Sequence, residues 1–288
     1  MNFKRTKGYF GFALLMVLVT FVAQPCVVLS QQPLIRHFEN GEELFYEAEF
    51  SRAVLRNIDV ADFKFSAARV PLSTDGEAKP TPTFSLQFIG EIKSKGFFSK
   101  LFNINFLERV TSVVEPATFT VQSTKRYDQQ GKRLRESETT YDHKERKLVW
   151  TEVDPREPAR APRVANANYP ADVQDILSAI YYLRTKPLDV GKSFEFSIND
   201  SGNIYQVPVR VVEKKRLKTV LGKVETFVVD VQMFGAKKLI ASDGQFLIWL
   251  TADERRVPVK AKVKTEYGVF DIQLKRMVKS SLAQSAKL

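Results

Sequence analysis

The chain has 288 residues, a net charge of +11, 44% apolar residues, one cysteine and two histidines. A single cysteine excludes a disulfide framework and a Cys-ligated zinc site. The length is ample for a hydrophobic core that needs no covalent staple.

Lys4, Arg5 and Lys7 precede a charge-free run from Gly8 to Ile35, whose most apolar part is Phe10–Ala23. That part is shorter than the ~20 residues a spanning helix requires, and Gln24-Pro25 interrupts it. A basic start, a short apolar middle and compact residues at Val28, Leu29 and Ser30 predict a signal peptide over 1–30, cleaved after Ser30. Lipid attachment at Cys26 would need small residues where Gln24-Pro25 stand. Cleavage leaves 31–288 without a thiol and lowers the positive charge by three, and the expected location is periplasmic or secreted. The remaining basic excess attracts anionic surfaces and otherwise serves solubility.

From Gln31 onward, period-two alternation predicts strands with one buried face. Leu44, Tyr46, Ala48 and Phe50 alternate with Glu43, Glu47 and Glu49, and Phe84, Leu86 and Phe88 with Ser85 and Gln87. Phe194, Phe196 and Ile198 follow the same rule, as do Tyr205, Val207, Val209 and Val211. Val257, Val259, Ala261 and Val263 are set against Lys260, Lys262 and Lys264, and Phe270, Ile272 and Leu274 continue after Tyr267-Gly268. Turn residues sit between these runs at 73–76, 130–131, 199–203, 221–222 and 243–244. Short links imply antiparallel neighbours. The fold class is mainly β: a curved antiparallel sheet or half-open barrel of about twelve strands.

Val173, Ile176, Leu177, Ile180, Tyr181 and Arg184 have helical spacing and predict a central helix over about 172–185, with Asp172 as N-cap and Pro187 as stop. The Pro-rich stretch 154–170 before it reads as a linker between two β-rich halves, 31–153 and 188–288, of one domain.

Catalytic chemistry is poorly represented. Asp142, His143 and Glu145 are metal-ligand types, but their spacing fits a polar hairpin turn better than a cage. There is no P-loop, G-x-G-x-x-G or G-x-S-x-G, so no cofactor and no metal is expected. Nothing selects a glycosidase pair among Glu43, Glu47, Glu49, Glu91, Asp172 and Asp175. The Lys260, Lys262, Lys264 stripe and the 214–218 cluster lack interleaved aromatics, so no nucleic-acid partner is expected. Asn199-Asp200-Ser201 matches a glycosylation sequon and equally a turn. In Lys93–Phe102, cations interleave with Phe97, Phe98 and Phe102, as at a lipid surface or a cavity rim.

Several motifs together carry a resemblance. They are Phe38-Glu39-Asn40-Gly41-Glu42-Glu43-Leu44-Phe45-Tyr46, Lys93-Ser94-Lys95-Gly96, Asp175–Ala179 with Tyr181–Arg184, Pro187–Gly191 and Ile248–Val259. In this order they resemble the bacterial family called domain of unknown function 3108, though Asn57–Ala61 departs from the family's Gly-bearing second strand. The resemblance implies an exported, mostly antiparallel β protein with no established activity. The Trp249–Val259 hairpin also looks like the periplasmic lipoprotein carriers, which wrap a half-open barrel around acyl chains, a fold-level analogy.

The expectation is therefore a non-enzymatic periplasmic protein holding a lipid or other amphiphilic envelope molecule. Phe84, Phe88, Phe97, Phe98, Phe102, Phe106 and Trp249 are the expected ligand-binding residues. The alternatives are a carboxylate-dependent enzyme acting on envelope glycan and an assembly partner recognised through a sheet edge.

Overall fold

A computed structural model describes residues 37–71, 84–95, 105–170 and 172–279; the leader 1–30 and Phe97, Phe98 and Phe102 lie outside the described residues. Alternation becomes strands β1 (Glu42–Arg52), β2 (Leu55–Pro71), β3 (Phe84–Ser94), β4 (Phe106–Val114) and β5 (Val121–Gln130). These are followed by β6 (Arg133–Asp142), β7 (Lys147–Val153), β8 (Arg163–Asn168) and the two-residue β9 (Gln174–Asp175). Helix α1 (Ile176–Thr185) leads to β10 (Ser193–Asp200), β11 (Asn203–Thr219), β12 (Gly222–Val231), β13 (Gly244–Thr251), β14 (Pro258–Thr265) and β15 (Gly268–Val278).

All fifteen strands form one sheet in the order β8-β7-β6-β5-β4-β3-β2-β1-β15-β14-β13-β12-β11-β10-β9. Neighbours are antiparallel apart from the parallel pair β9–β10. Each half is a meander, and the first and last strands join them at the centre, with Tyr46 opposite Leu274 and Ala48 opposite Ile272. The expected strand number of about twelve is thus corrected to fifteen among the described residues. One addition lies in the stretch read as a linker, where β8 pairs with β7 from Lys147–Asn168 to Glu152–Arg163. Pro155, Pro158 and Pro162 precede β8 and Pro170 follows it, leaving the strand itself free of proline, and its Arg163-Val164-Ala165-Asn166-Ala167-Asn168 is too weakly apolar to announce a strand.

The sheet's end strands β8 and β9 do not pair with each other. Its curvature still brings the β10–β11 turn onto β7 and β8. A Cβ at Gly202 would lie 2.7 Å from that of Ala165 and 3.3 Å from that of Trp150, so only glycine permits this approach. Asn199 Nδ2 donates to the Tyr141 hydroxyl across the same seam at 3.1 Å. The result is a half-open barrel whose seam is held by side chains.

Helix α1 lies against the inner face, and its start differs from the sequence expectation. Asp172, with φ +47°, is outside the helix; Asp175 is the N-cap and accepts from Leu177 N and Ser178 N, both at 2.9 Å. Its carboxylate also accepts from Ser112 on β4 and Thr124 on β5, each at 2.9 Å, while Ser178 Oγ accepts from Asp175 N. The strand hydroxyls choose between the two aspartates, and no local signal encodes them. At the other end Arg184 is fully buried and pairs with buried Glu42 at 2.6 Å. Arg184 also donates to the carbonyls of His37 and Arg255, so the helix is tied to the chain's lead-in and to the β13–β14 turn.

Candidate functional site

Inner-face side chains fill only part of the barrel. Toward the Leu86–Phe88 end of β3 the space is solid: Phe88 stacks on Tyr181 with ring centroids 3.9 Å apart and planes 9° apart. Phe38 packs edge-on against both rings, at 5.3 Å and 5.7 Å, and Phe119 closes the stack beside Phe88 at 5.8 Å. Two residues further along β3, Gly90 replaces the aromatic ring. A Cβ there would already be 3.1 Å from Leu177 and 3.3 Å from Phe65.

From Gly90 toward the opposite end a cavity of about 380 Å³ opens between helix and sheet. One wall is Phe63 and Phe65 of β2, Ile92 of β3 and Val110 of β4; the other is Phe196, Val207, Val209, Phe246, Ile248 and Ala261. Helix residues Ile176, Ala179, Ile180 and Leu183 form a third side. Register explains the grouping. Phe63–Ile92 and Phe65–Gly90 face each other on β2–β3, Gly90–Val110 on β3–β4, and Ile248–Ala261 on β13–β14, so all share one face.

The lining is largely apolar, with Lys260 of β14 at one side and most of the polar groups in one sector. Glu108, Arg126, Ser137, Thr139, Asn199, Asp200 and Ser201 gather where β4–β6 meet the β10–β11 turn. Arg126 lies 2.9 Å from Glu108 and 3.4 Å from Asp200, so one guanidinium is shared by two carboxylates. Burial, opposed by the Arg126 charge, raises the Glu108 carboxyl above its usual range. Asn199, the sequon residue, is buried and bonded to Tyr141 and to Gly202 N. Its role is in the turn.

None of the described aromatics expected to bind a ligand lines this cavity. Phe88 is fully buried in the solid end, and Phe84 packs at that end's margin under the Arg69 guanidinium. Phe106 joins a separate cluster with Phe50 and Phe270. Trp249 pairs with Lys260, whose ammonium lies 5.8 Å from its ring, on the face opposite Ile248 and Leu250. Large rings consume interior space. The cavity is bordered by the small side chains of Ala179 and Ala261.

The other candidate groups have structural partners. His143 Nε2 is 2.8 Å from Val121 O and Nδ1 is 3.1 Å from the Tyr169 hydroxyl, while Asp142 accepts from the backbone of Lys144 and Glu145 as in a turn. Lys260 and Lys262 both face Asp271, at 2.7 and 3.8 Å. Among the described residues no three His, Cys, Asp or Glu side chains are grouped to hold a metal ion.

A family model described as "Protein of unknown function (DUF3108)" matches residues 57–275, a range that begins after the Phe38–Tyr46 motif. The chain is similar to a crystal structure described as a beta-barrel-like protein of domain of unknown function DUF1849 from Brucella abortus. Identity is 7% and the TM-score 0.53, over 84% of this chain and 98% of that one, so the likeness is one of fold. A Parabacteroides distasonis protein provisionally described as a lipoprotein aligns at 9% identity and a TM-score of 0.31, over 85% and 98%. A Bacteroides fragilis protein provisionally described as exported, with a YmcC-like fold, gives 9% and 0.31, over 84% and 99%. No curated protein matches the chain significantly.

Proposed function

The chain belongs to the family described as protein of unknown function DUF3108, and we propose that it is an exported protein that holds a hydrophobic or amphiphilic envelope molecule without chemically changing it. The observation that carries this reading is the largely apolar cavity of about 380 Å³ between α1 and the inner face of the sheet. Its size falls within the range of ~300–1,000 Å³ typical of small-molecule sites. Export rests on the leader read over residues 1–30.

An apolar chain suits such a space. Each buried methylene contributes about 0.8 kcal/mol, so about ten of them gain roughly 8 kcal/mol before the cost of association. The polar sector gives an amphiphile's head somewhere to sit. Glu108 and Asp200 flank Arg126 instead of facing each other across open space, and this favours holding a ligand over bond cleavage by a carboxylate pair.

The test loads residues 31–288, stripped of lipid, from a detergent-solubilised membrane lipid extract and weighs the complex by native mass spectrometry. A bound lipid mass that is lost in Ala179→Phe/Ala261→Trp is the expected result, since both positions line the cavity. Absence of any bound lipid, or undiminished binding in the double variant, overturns the reading.

A further inference from the structure

The β1–β2 turn is built from residues that neither water nor turn geometry favours. Ala53 has φ +48° at the first position of a two-residue hairpin loop, where glycine is the usual occupant. Val54 follows, 92% exposed, and Leu55 is 44% exposed. The β5–β6 and β10–β11 turns carry Gly131-Lys132 and Ser201-Gly202 instead; Ser201 also has positive φ, at +51°, but neither turn presents an apolar side chain. Burial does not explain Ala53-Val54 either, because Val54 is almost wholly in solvent.

A second exposed tip, Glu266-Tyr267, stands beside it. Ser51 pairs with Val269 and Thr265 with Gly268, which sets the β14–β15 turn against the β1–β2 turn. Tyr267 in that turn is 64% exposed. Arg52, Arg56 and Lys264 surround the two tips, exposed and in no ion pair among the described residues, with Asp59 and Glu266 as the acidic neighbours in sequence. Behind the tips Phe50 and Phe270 touch with centroids 5.0 Å apart. Phe63, Ile92 and Ile272 pack on that cluster and also line the cavity, so apolar surface runs from the tips to the cavity wall.

We propose that the β1–β2 and β14–β15 turns dock this end of the barrel on an anionic lipid bilayer. Val54 and Leu55 enter the interface, Tyr267 sits at headgroup depth, and Arg52, Arg56 and Lys264 face lipid phosphates. Isolated exposed valines are ordinary; an apolar pair on a turn that disfavours it, ringed by unpaired cations beside an exposed tyrosine, fits a membrane surface. The inference goes beyond the cavity reading and does not require the cavity to be loaded.

The test is co-flotation of residues 31–288 with vesicles of phosphatidylcholine, with and without phosphatidylglycerol. Binding is expected only with the anionic lipid, and to weaken as salt is added. Ala53→Gly/Val54→Asp supplies the Gly-Asp sequence such a turn prefers, so it folds at least as well and loses vesicle affinity by about tenfold or more. Val220→Asp, at the exposed β11–β12 turn of the opposite end, leaves binding unchanged. Ala179→Phe/Ala261→Trp also retains it, which separates docking from cavity occupation. The inference is overturned by equal binding to neutral and anionic vesicles, by no binding, by an unaffected Ala53→Gly/Val54→Asp variant, or by a sedimenting dimer that this variant dissolves.

Discussion

The two ends of the barrel interior are built from the same alternating strands and come out differently. At one end Phe88, Tyr181, Phe119 and Phe38 interlock around the helix; at the other, small residues such as Ala179 and Ala261 face the interior, and space remains. Alternation decides which face turns inward. It does not decide whether that face meets a partner. The boundary is set by where α1 is pinned, with Asp175 on β4 and β5 and Arg184 on Glu42. Tyr181 then reaches Phe88, while Ile176, Ala179 and Ile180 look onto the void.

The widest expected gap between the two ends is in the cost of truncation. Phe88→Ala should lose about 3–5 kcal/mol, because it empties a fully packed position. Val110→Ala should cost only about 1 kcal/mol, because its methyl groups already border space. Urea unfolding of both variants makes the comparison, and equal costs would mean the ends are equally packed. Asp175→Ala comes next, at about 2–3 kcal/mol, since it removes a helix cap and strands the hydroxyls of Ser112 and Thr124. If its loss is no larger than that of an exposed cap, the helix is not fixed from this point.

The smallest effect concerns Glu108 and appears as pH dependence. Its folded carboxyl titrates above the unfolded value of 4.5, chiefly because burial disfavours the charge. The folded state therefore holds a proton that the unfolded chain has released, and stability falls as pH rises from 4.5 through the folded value. Glu108→Gln should melt slightly higher than the parent above that window and the same as the parent below it. A parent that is instead stabilised on raising pH through the window, relative to Glu108→Gln, would assign Arg126 the dominant influence.

Much of the architecture could be read from residue order, and particular residues show where that reading stopped. Glu43, Glu47 and Glu49 against Leu44, Tyr46 and Ala48 announce the inner face of β1 without any structure. Nothing local says that β1 pairs with β15, because that choice is made by surfaces far apart in sequence. Glu42 reads as another wet glutamate until Arg184 is placed beside it, when it proves fully buried. Phe246, Ile248 and Leu250 alternate around Trp249, so parity alone assigns the tryptophan to the other face. The cavity itself was invisible, since a void is a property of distances between strands and no residue type marks it.

The pairing of β1 with β15 also governs how the molecule can be made. Glu43 meets Val278, so the sheet's central seam joins the first described strand to the last, an eleven-residue strand far from it in sequence. Until that seam closes, two meanders exist with raw borders at β1 and β14, each an invitation to wrong partners. Such long-range closure is slow. Removing β15 alone would leave both borders bare.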